Sequence, residues 1–312
     1  MKFIITGGSG FLGSSFAKKL LLDNHSVVIL DNVKKDDTIR LKPIFNKIKY
    51  KQIDFTDLKS VKKELKNSDV IMHFFGRANT SVGSNTNLDL NHGIISTYNV
   101  LESMRANKLK KIIFPSAPAI YGNPIHFPTS EKTGMLLPVS LYGAAKLSSE
   151  GLISAYCNLF NMTGWIFRLG NVVGPQMTRG VIMDFIKKIK KNPKKLEILG
   201  NGDQLKDMIY IDDCIDGMLF GFKNSNDTVN VFNLASGTTI SVNEIAKIII
   251  KKLNLPKIKI TCTDNNIGWK GDVPKVHYDI TKIKKLGWKP KYSSKKAVNL
   301  ATSEMLNIHY PK

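Results

Sequence analysis

Cysteine is scarce in this chain. Only three occur among its 312 residues, at Cys157, Cys214 and Cys262, and they are far apart in the sequence. An odd number at such spacing matches neither a disulfide framework nor a zinc-binding pattern, so we predict no metal site. Few, unpaired cysteines are typical of a reducing compartment, and the predicted localisation is cytoplasmic.

Long hydrophobic runs are also absent. No stretch approaches the roughly 18 consecutive apolar residues that a membrane-spanning helix requires. The apolar run after Lys2 covers only Phe3–Ile5 before glycines interrupt it, which does not resemble a signal peptide. We therefore predict a globular protein with no membrane partner.

Arginine is rare although the chain is strongly basic. The formal net charge is +21, yet only five of the 46 basic residues are arginines. Bidentate recognition of bases and phosphates prefers arginine, so this composition argues against a nucleic-acid partner. The lysines are spread along amphipathic segments such as 245–252, where they form solvated faces that would attract an anionic metabolite.

What the chain does contain begins with a glycine turn. Residues 2–13 read KFIITGGSGFLG, and the amphipathic segment Phe11–Leu22 overlaps their end. Glycine allows a tight turn and a close approach of the backbone to a ligand. The N-terminus of a helix that follows such a turn favours a phosphate. The pattern predicts a strand, a phosphate-binding turn and a helix, and the simpler alternative is a plain turn.

Apolar runs and amphipathic segments alternate beyond this turn. Strands are predicted at Val27–Leu30, Val70–Phe74, Lys111–Phe114 and Trp165–Leu169. Helices are predicted at Asp57–Lys66, Leu88–Asn107, Leu141–Phe160, Gly180–Lys191, Asp212–Phe222, Val242–Leu253 and Ser294–Asn307. This alternation predicts an α/β fold, a Rossmann-type doubly wound parallel sheet.

Two domains are expected from the change in pattern near residue 170. Residues 1–170 are the predicted dinucleotide-binding domain, and 171–312 a smaller α+β substrate-binding lobe. A segment at about 207–238 is expected to return to the first domain. Ligands of such folds bind beyond the carboxyl ends of the strands, so functional residues should follow strands.

Asp31 follows the second predicted strand, 18 residues after Gly13. A carboxylate at this position can accept both ribose hydroxyls of an adenosine. It would repel a 2′-phosphate, which favours NAD over NADP, although Lys34 and Lys35 lie close in sequence. The alternative is a turn aspartate before Asn32.

Tyr142 and Lys146 are four residues apart on a predicted helix and therefore share one face of it. A lysine ammonium close to a tyrosine stabilises the phenolate. Lowering a tyrosine pKa from about 10 to about 7 requires about 4 kcal/mol of differential stabilisation. The pair predicts an acid–base centre, and a chance spacing of surface residues is the alternative.

Taken together, these motifs resemble those of the extended short-chain dehydrogenase/reductase family, and most closely its NAD-dependent nucleotide-sugar epimerases of the UDP-glucose 4-epimerase type. The resemblance rests on motifs along nearly the whole chain: Thr6–Gly13, Asp31, His73–Gly76, Ile120–Gly122, Tyr142–Lys146, Arg168–Pro175, Lys206–Asp213 and Gly271–Asp272.

The resemblance implies a 4-epimerase acting on a UDP-sugar. Tyr142 would take the proton of a sugar hydroxyl while hydride passes to tightly bound NAD and returns to the opposite face, and Lys146 would hold the nicotinamide ribose. The implied cofactor-binding residues are Gly7, Gly10, Phe11, Leu12, Gly13, Asp31, Asn32, Asp54, Phe55, Phe74, Phe75, Gly76, Tyr142, Lys146 and Leu169.

The resemblance also implies substrate contacts and a homodimer. Helices 88–107 and 141–160 would pair across a two-fold axis. The implied substrate-binding residues are Arg77, Tyr121, Asn171, Val181, Phe185, Leu196, Lys206, Trp269 and Asp272.

Three positions depart from the family pattern. Ala117 stands where the family has a catalytic serine or threonine, with Ser116 one residue earlier. Because a one-residue shift in a strand turns a side chain to the opposite face, Ser116 is not expected to substitute. Gly93 replaces an asparagine, and Trp269 replaces an arginine that would grip the diphosphate, a role that Lys206 could share.

Ala117 leaves several hypotheses open. Either a serine has been replaced here by design, or the protein works weakly or differently. The alternatives to a 4-epimerase are an NAD(P)-dependent 4-ketosugar reductase and a catalytically silent protein that binds NAD or a nucleotide sugar. Pro118 and Ala119 cannot transfer protons, which argues against 4,6-dehydration and decarboxylation.

Overall fold

The structure is a computed structural model that describes residues 1–76, 86–263, 267–269 and 271–309. Arg77, a predicted substrate contact, lies outside the described residues. The strands are β1 (Lys2–Thr6), β2 (Ser26–Asp31), β3 (Lys49–Gln52), β4 (Val70–His73), β5 (Lys111–Ser116), β6 (Thr163–Leu169), β7 (Asn171–Val173), β8 (Lys195–Ile198), β9 (Leu205–Lys206), β10 (Met208–Tyr210), β11 (Val229–Leu234), β12 (Ile240–Ser241) and β13 (Lys259–Cys262).

The predicted helices other than 88–107 are observed to within a few residues at each end, and the helix at Thr281–Lys285 was not predicted. They are α1 (Phe11–Leu22), α2 (Leu58–Glu64), α3 (Asn87–Asp89), α4 (Ser96–Ala106), α5 (Leu141–Phe160), α6 (Val181–Lys191), α7 (Ile211–Asn224), α8 (Val242–Lys252), α9 (Thr281–Lys285) and α10 (Ser294–His309). No helix in the described part of the chain is long and apolar enough to cross a bilayer.

Seven strands form the main sheet in the order β11-β6-β5-β4-β1-β2-β3. β1 pairs in parallel with both β2 and β4, and β5 pairs in parallel with β4 and β6. The run β3-β2-β1-β4-β5-β6 is the strand order of a doubly wound dinucleotide-binding sheet, so the predicted fold class is confirmed. The order reverses between β1 and β4, where Thr6 and His73 are register partners.

The core of this sheet is apolar on both faces, as expected of parallel strands covered by helices. Phe3 and Ile5 on one face of β1 and Ile4 on the other are almost fully buried, and Phe16 and Leu20 of α1 have no exposure. Helix α1 contacts β2, and α4 packs between α2 and α5. The glycine turn after β1 and the N-terminal end of α5 are therefore held by a rigid scaffold.

The chain divides into two compact units. The first comprises Met1–Tyr121, Leu136–Arg168 and Met218–Phe232, and the second comprises Gly122–Met135, Leu169–Gly217 and Asn233–Lys312. Residues 122–135, assigned to the first domain from sequence, thus belong to the second unit. The assignment of cofactor and substrate to the two units stays a prediction.

The second unit contains three two-stranded sheets. β7 pairs in parallel with β10, β8 in parallel with β13, and β9 antiparallel with β12. Helix α8 packs against α6 and α10. These pairings bring distant segments together, since β9 and β12 are more than 30 residues apart in sequence.

One predicted helix is interrupted. The segment predicted as a continuous helix over 88–107 contains α3, a π-helical turn at Leu90–Ile95 and then α4. Gly93 lies in the π-helical turn, and a Cβ atom there would lie 2.7 Å from Cβ of Ala145 in α5. The missing side chain therefore allows this turn to pack directly against α5.

Candidate active site

The glycine turn has the backbone geometry of a phosphate-binding site. Gly7 has a φ of 68°, and a Cβ there would lie 2.6 Å from the backbone of Phe75. A Cβ on Gly13 would lie equally close to the carbonyl oxygen of Gly7. Gly10 is exposed and caps α1 without a side-chain hydrogen bond, so the helix N-terminus is open to an anion. These features fit the pyrophosphate of a dinucleotide.

Asp31 is buried at the end of β2 and holds the glycine turn. Its Oδ2 accepts hydrogen bonds from the backbone nitrogen of Ser9 at 2.8 Å and from the Ser9 hydroxyl at 2.6 Å. Its Oδ1 accepts a longer bond from the nitrogen of Val33 at 3.3 Å. Because a carboxylate has about four acceptor sites, Oδ1 keeps capacity for a ribose hydroxyl.

Two predicted adenine contacts differ in exposure. Asp54 is exposed, and its pKa is lowered because Thr56 donates to it through its hydroxyl and its backbone nitrogen. Phe55 is fully buried and stacks on Phe75 with ring centroids 4.0 Å apart. The sequence did not reveal that Phe55 points into the core, so its predicted contact with the cofactor is not supported by its burial.

The other predicted cofactor residues occupy several places. Asn32 is exposed after β2, whereas Phe11 and Leu12 are partly buried in the first turn of α1. Phe74 packs on Phe16, with ring centroids 5.1 Å apart. Leu169 is buried and belongs to the second unit.

A pocket in the first unit brings the predicted acid–base pair together. Tyr142 and Lys146 line it from α5, and Phe75 and Gly76 line it just beyond the carboxyl end of β4. The remaining lining residues are Asp89, Gly93, Thr97, Phe114, Ala145 and Ser149. The pocket therefore lies at the edge of the sheet where parallel α/β folds bind their ligands.

The electrostatics of the pair differ from the expectation that Lys146 would lower the Tyr142 pKa. Burial, with a smaller effect of Asp89, raises the pKa of Tyr142 to about 12. Burial lowers the pKa of Lys146 to about 8, partly opposed by Glu150. The Lys146 ammonium donates to the carbonyl oxygen of Pro115 at 2.8 Å. The protein alone thus keeps Tyr142 as a neutral phenol.

Ser116 is the last residue of β5, so the strand alternation from which Ser116 was not expected to replace a hydroxyl at position 117 does not extend to Ala117. Ser116 is two residues after Phe114, which lines the pocket, and alternate strand residues share one face. The Ser116 hydroxyl is buried and has no hydrogen-bond partner among the described residues.

Tyr121 is buried and its hydroxyl is occupied within the first unit. It accepts a hydrogen bond from Nη1 of Arg168 at 3.0 Å. Nη2 of Arg168 also forms an ion pair with Glu150 of α5 at 2.8 Å. Tyr121 does not line the pocket, although the turn that contains it, Pro118–Tyr121, packs on α5, the helix of Tyr142.

Three predicted substrate residues meet in the second unit. Nζ of Lys206 lies 2.9 Å from Oδ1 of Asp272 and donates to the carbonyl oxygen of Val273 at 2.6 Å. The Trp269 ring is 42% exposed, with its centroid 5.9 Å from the same ammonium. Lys206 is therefore already neutralised by Asp272, which leaves it less free for the diphosphate role considered from sequence.

The remaining predicted substrate residues are less exposed than expected. Phe185 and Leu196 are buried in the core of the second unit, whereas Val181 is partly buried at the start of α6. Asn171 is partly exposed, and its amide donates to the carbonyl oxygen of Asp207 at 3.3 Å.

Sequence reasoning missed three of the polar residues in the pocket, Asp89, Thr97 and Ser149. Thr97 of α4 and Ser149 of α5 both line it, and their hydroxyls are 3.0 Å apart. His73 was noted only as part of a motif, yet it contacts Thr97. The available signal was a histidine that ends an apolar strand, whereas isolated hydroxyls on two helices gave none.

Comparison with known proteins identifies the family. The model of the NAD dependent epimerase/dehydratase family matches residues 3–235, which is most of the chain. This chain belongs to that family, which confirms the predicted family and its cofactor, NAD.

Individual relatives agree over the full length. The chain is 31% identical to a protein of Methanocaldococcus jannaschii named "Putative UDP-glucose 4-epimerase", over 97% of this chain and 98% of that one. A crystal structure of a UDP-galactose 4-epimerase is 29% identical with a TM-score of 0.87, and covers 99% and 100% of the two chains. The UDP-glucuronic acid 4-epimerase of Bacillus cereus, solved with UDP-glucuronic acid and NAD, is 26% identical with the same TM-score and coverage.

Proposed function

We propose that this chain is an NAD-dependent UDP-sugar 4-epimerase. The observation that carries the proposal is the pocket of the first unit, where Tyr142 and Lys146 meet Phe75 and Gly76 beyond the end of β4. The relatives named above are 4-epimerases of UDP-sugars, which supports a UDP-sugar as substrate. They do not favour the 4-ketosugar reductase or the silent binding protein.

The cofactor half of the site follows from the glycine turn. The turn Gly7–Gly13 would hold the pyrophosphate of NAD, and Oδ1 of Asp31 would accept from a ribose hydroxyl. Bound NAD supplies a reversible hydride acceptor and a positively charged ring. Asn32, Asp54 and Leu169 stay predictions, because their positions give no separate support.

Tyr142 moves the proton in this proposal. Its phenolate would take up the proton of the sugar hydroxyl as the carbon gives up its hydride to bound NAD and becomes a carbonyl, and the resulting phenol would return the proton when the hydride comes back. The raised pKa of Tyr142 means that a phenolate needs a neighbouring cation, and Lys146 of the same helix face supplies one. Lys146 is held by the Pro115 carbonyl, so its ammonium keeps a fixed position.

Ser116 is the hydroxyl that completes the pair. It follows Pro115, whose carbonyl binds Lys146, and it lies next to the pocket, two residues after the lining residue Phe114 on the same strand. A buried hydroxyl without a partner costs about 1–3 kcal/mol, which a hydrogen bond to the sugar would recover. On this proposal the protein needs no hydroxyl at position 117.

The second unit would supply the substrate contacts. We propose that Asn171 contacts the diphosphate and that the exposed face of Trp269 contacts the nucleotide. The ion pair of Lys206 and Asp272 would fix the Trp269 segment, since Asp272 also accepts from the nitrogen of Gly268. Val181 remains a predicted contact, as does Arg77.

The proposed assembly and location rest on exposed side chains and on the cysteines. Exposed Tyr98 on α4 and exposed Leu159 and Phe160 near the end of α5 support a homodimer through these two helices. Sedimentation velocity would give a dimer mass, and a monomer at all concentrations would reject it. Three free cysteines support a cytoplasmic location.

A direct conversion assay tests the function. The purified protein is incubated with UDP-galactose, UDP-N-acetylgalactosamine, UDP-glucuronic acid or UDP-arabinose without added reductant, and the products are separated by chromatography. We expect one of these to be converted to its 4-epimer. Conversion only with added NADPH would favour the reductase, and no conversion with NAD retained would favour the silent binder.

A further inference from the structure

A chain of buried hydrogen bonds crosses the first unit at the point where the strand order reverses. Thr6 ends β1 and His73 ends β4, and Oγ1 of Thr6 lies 2.8 Å from Nδ1 of His73. On the other side of the ring, Nε2 lies 3.1 Å from Oγ1 of Thr97 in α4. Thr97 in turn contacts Ser149 of α5.

The direction of each hydrogen bond follows from the partners. Thr97 has one hydroxyl proton, and its shortest contact is 2.6 Å to the carbonyl oxygen of Gly93, an acceptor only. Nε2 of His73 must then donate to Thr97, so Nδ1 is the unprotonated nitrogen. Nδ1 accepts from the hydroxyl of Thr6, which itself accepts from the nitrogen of Phe75 at 3.2 Å.

All four side chains in this series of contacts are shielded from water. Thr6 and His73 are fully buried, and Thr97 and Ser149 are 1% exposed. Burial lowers the pKa of His73 to about 3, and Lys146 contributes in the same direction. A neutral ring with one donor and one acceptor suits the two hydroxyls that flank it, whereas an imidazolium would leave Nδ1–H facing a hydroxyl that must reverse.

This series of contacts ends on α5, the helix that carries Tyr142 and Lys146. Ser149 lies three residues after Lys146 and seven after Tyr142, which places all three on one face of α5. The Ser149 hydroxyl donates its one proton to the carbonyl oxygen of Ala145 at 2.8 Å, so its 3.0 Å approach to the Thr97 hydroxyl is a packing contact rather than a hydrogen bond. The His73 ring stacks on the Phe114 ring, and the Lys146 ammonium lies 4.4 Å from the centroid of the Phe114 ring. His73 therefore reaches α5 by two routes.

We propose that His73 is a positioning residue that, as the neutral Nε2–H tautomer, joins the end of β1 to α5 through Thr97 and Ser149. This series of contacts fixes Tyr142 and Lys146 relative to the glycine turn. The positioning role rests on the proposed function of Tyr142 and Lys146. Thr97 and Ser149 line the pocket, and none of the four side chains is assigned an acid–base role.

The first test reads the tautomer directly. In protein labelled with [15N]histidine, the ring nitrogen shifts of His73 are assigned by loss of its signals in His73→Phe. We expect an unprotonated Nδ1 and a protonated Nε2, with no titration near pH 6.5. A proton on Nδ1, or a titration close to the usual histidine pKa, overturns the proposal whatever the substrate is.

The second test separates positioning from stability. Thr97→Val deletes the hydroxyl, Thr97→Ser retains it, and Thr302→Val is the matched control. Thr302 is equally buried and also donates to the carbonyl oxygen four residues earlier, but lies in α10 of the second unit. We expect Thr97→Val to lower kcat roughly tenfold with KM unchanged, since misplacement by about 1 Å can cost about 10²-fold.

Thr97→Ser and Thr302→Val should keep the wild-type kcat. Equal kcat values in Thr97→Val and Thr302→Val would overturn the positioning role. An inactive wild type with the expected tautomer would instead reject the proposed function of the site, because the nitrogen shifts are measured without substrate.

Discussion

Buried polar groups are hydrogen-bonded differently in the pocket around Tyr142 and in the cluster of Lys206, Asp272 and Trp269. In the first, Tyr142 and Lys146 have strongly shifted pKa values and the Ser116 hydroxyl lacks a partner among the described residues. In the second, Lys206 and Asp272 neutralise each other across 66 residues of sequence. Groups that exchange protons with a ligand keep free capacity, whereas groups that hold a loop in place use theirs within the protein.

The largest expected effect comes from Tyr142→Phe. Removing the phenolic proton carrier should lower kcat by about 10²–10⁴-fold, the usual contribution of a positioned acid–base group. Thermal unfolding and the amount of NAD released on heating should match wild type. A variant with near-normal turnover would show that the pocket does not contain the acid–base group, and the comparison above would fail.

Lys206→Met should act on stability instead. It leaves the Asp272 carboxylate buried without its cation, which costs about 3–5 kcal/mol in the free energy of unfolding. Urea unfolding measures the loss, and Lys291→Ala is the control because the Lys291–Asp216 pair is largely exposed. That control should lose at most about 1 kcal/mol. Equal losses in both variants would contradict a structural role for the buried pair.

Ser116→Ala sharpens the comparison within the pocket. We expect kcat to fall by roughly 10–100-fold, at the low end of proton-transfer effects, with stability unchanged or slightly increased, because an unpaired buried hydroxyl is removed. The matched variant Ala117→Ser places a hydroxyl one residue later and should not restore turnover when combined with Ser116→Ala. Restoration by the serine at position 117 would assign the role to that position.

Asp207 gives the smallest effect, and it depends on pH. Burial raises the pKa of this fully buried carboxyl to about 6, despite hydrogen bonds from Ser236 and Gly237. The folded pKa exceeds the unfolded one, so its contribution to stability is present below about pH 4 and is lost as the pH rises through about 6.

Between pH 5 and pH 7, this loss amounts to about 1 kcal/mol relative to Asp207→Asn. The measurement is the unfolding free energy of both proteins at the two pH values. Parallel changes in the two proteins would show that Asp207 does not titrate in this range.

The sequence was sufficient where local pattern and function coincide. The glycine turn, Asp31 and the Tyr142–Lys146 spacing each carry a signal within a few residues, and the structure places them at strand ends or on one helix face as predicted. Phe55, Phe185 and Leu196 show the limit, because an apolar residue beside a motif looks the same whether it faces a ligand or the core.

Other features depend on where an element ends or on distant partners. The prediction for Ser116 depended on where β5 ends, a boundary that a sequence pattern does not fix to one residue. The pairing of Lys206 with Asp272 and of His73 with Thr97 joins segments with no common local signal. Such contacts depend on the fold of the entire chain, and no short stretch of sequence predicts them.

The contact between Gly93 and Ala145 restricts how this protein can change. An asparagine at position 93, as in the family pattern, would bring its Cβ within 2.7 Å of a rigid methyl group. Restoring that asparagine alone would push the π-helical turn away from α5, so a smaller residue at 145 would have to appear first. Replacement of Gly93 by a larger residue is therefore expected only after Ala145 has become glycine.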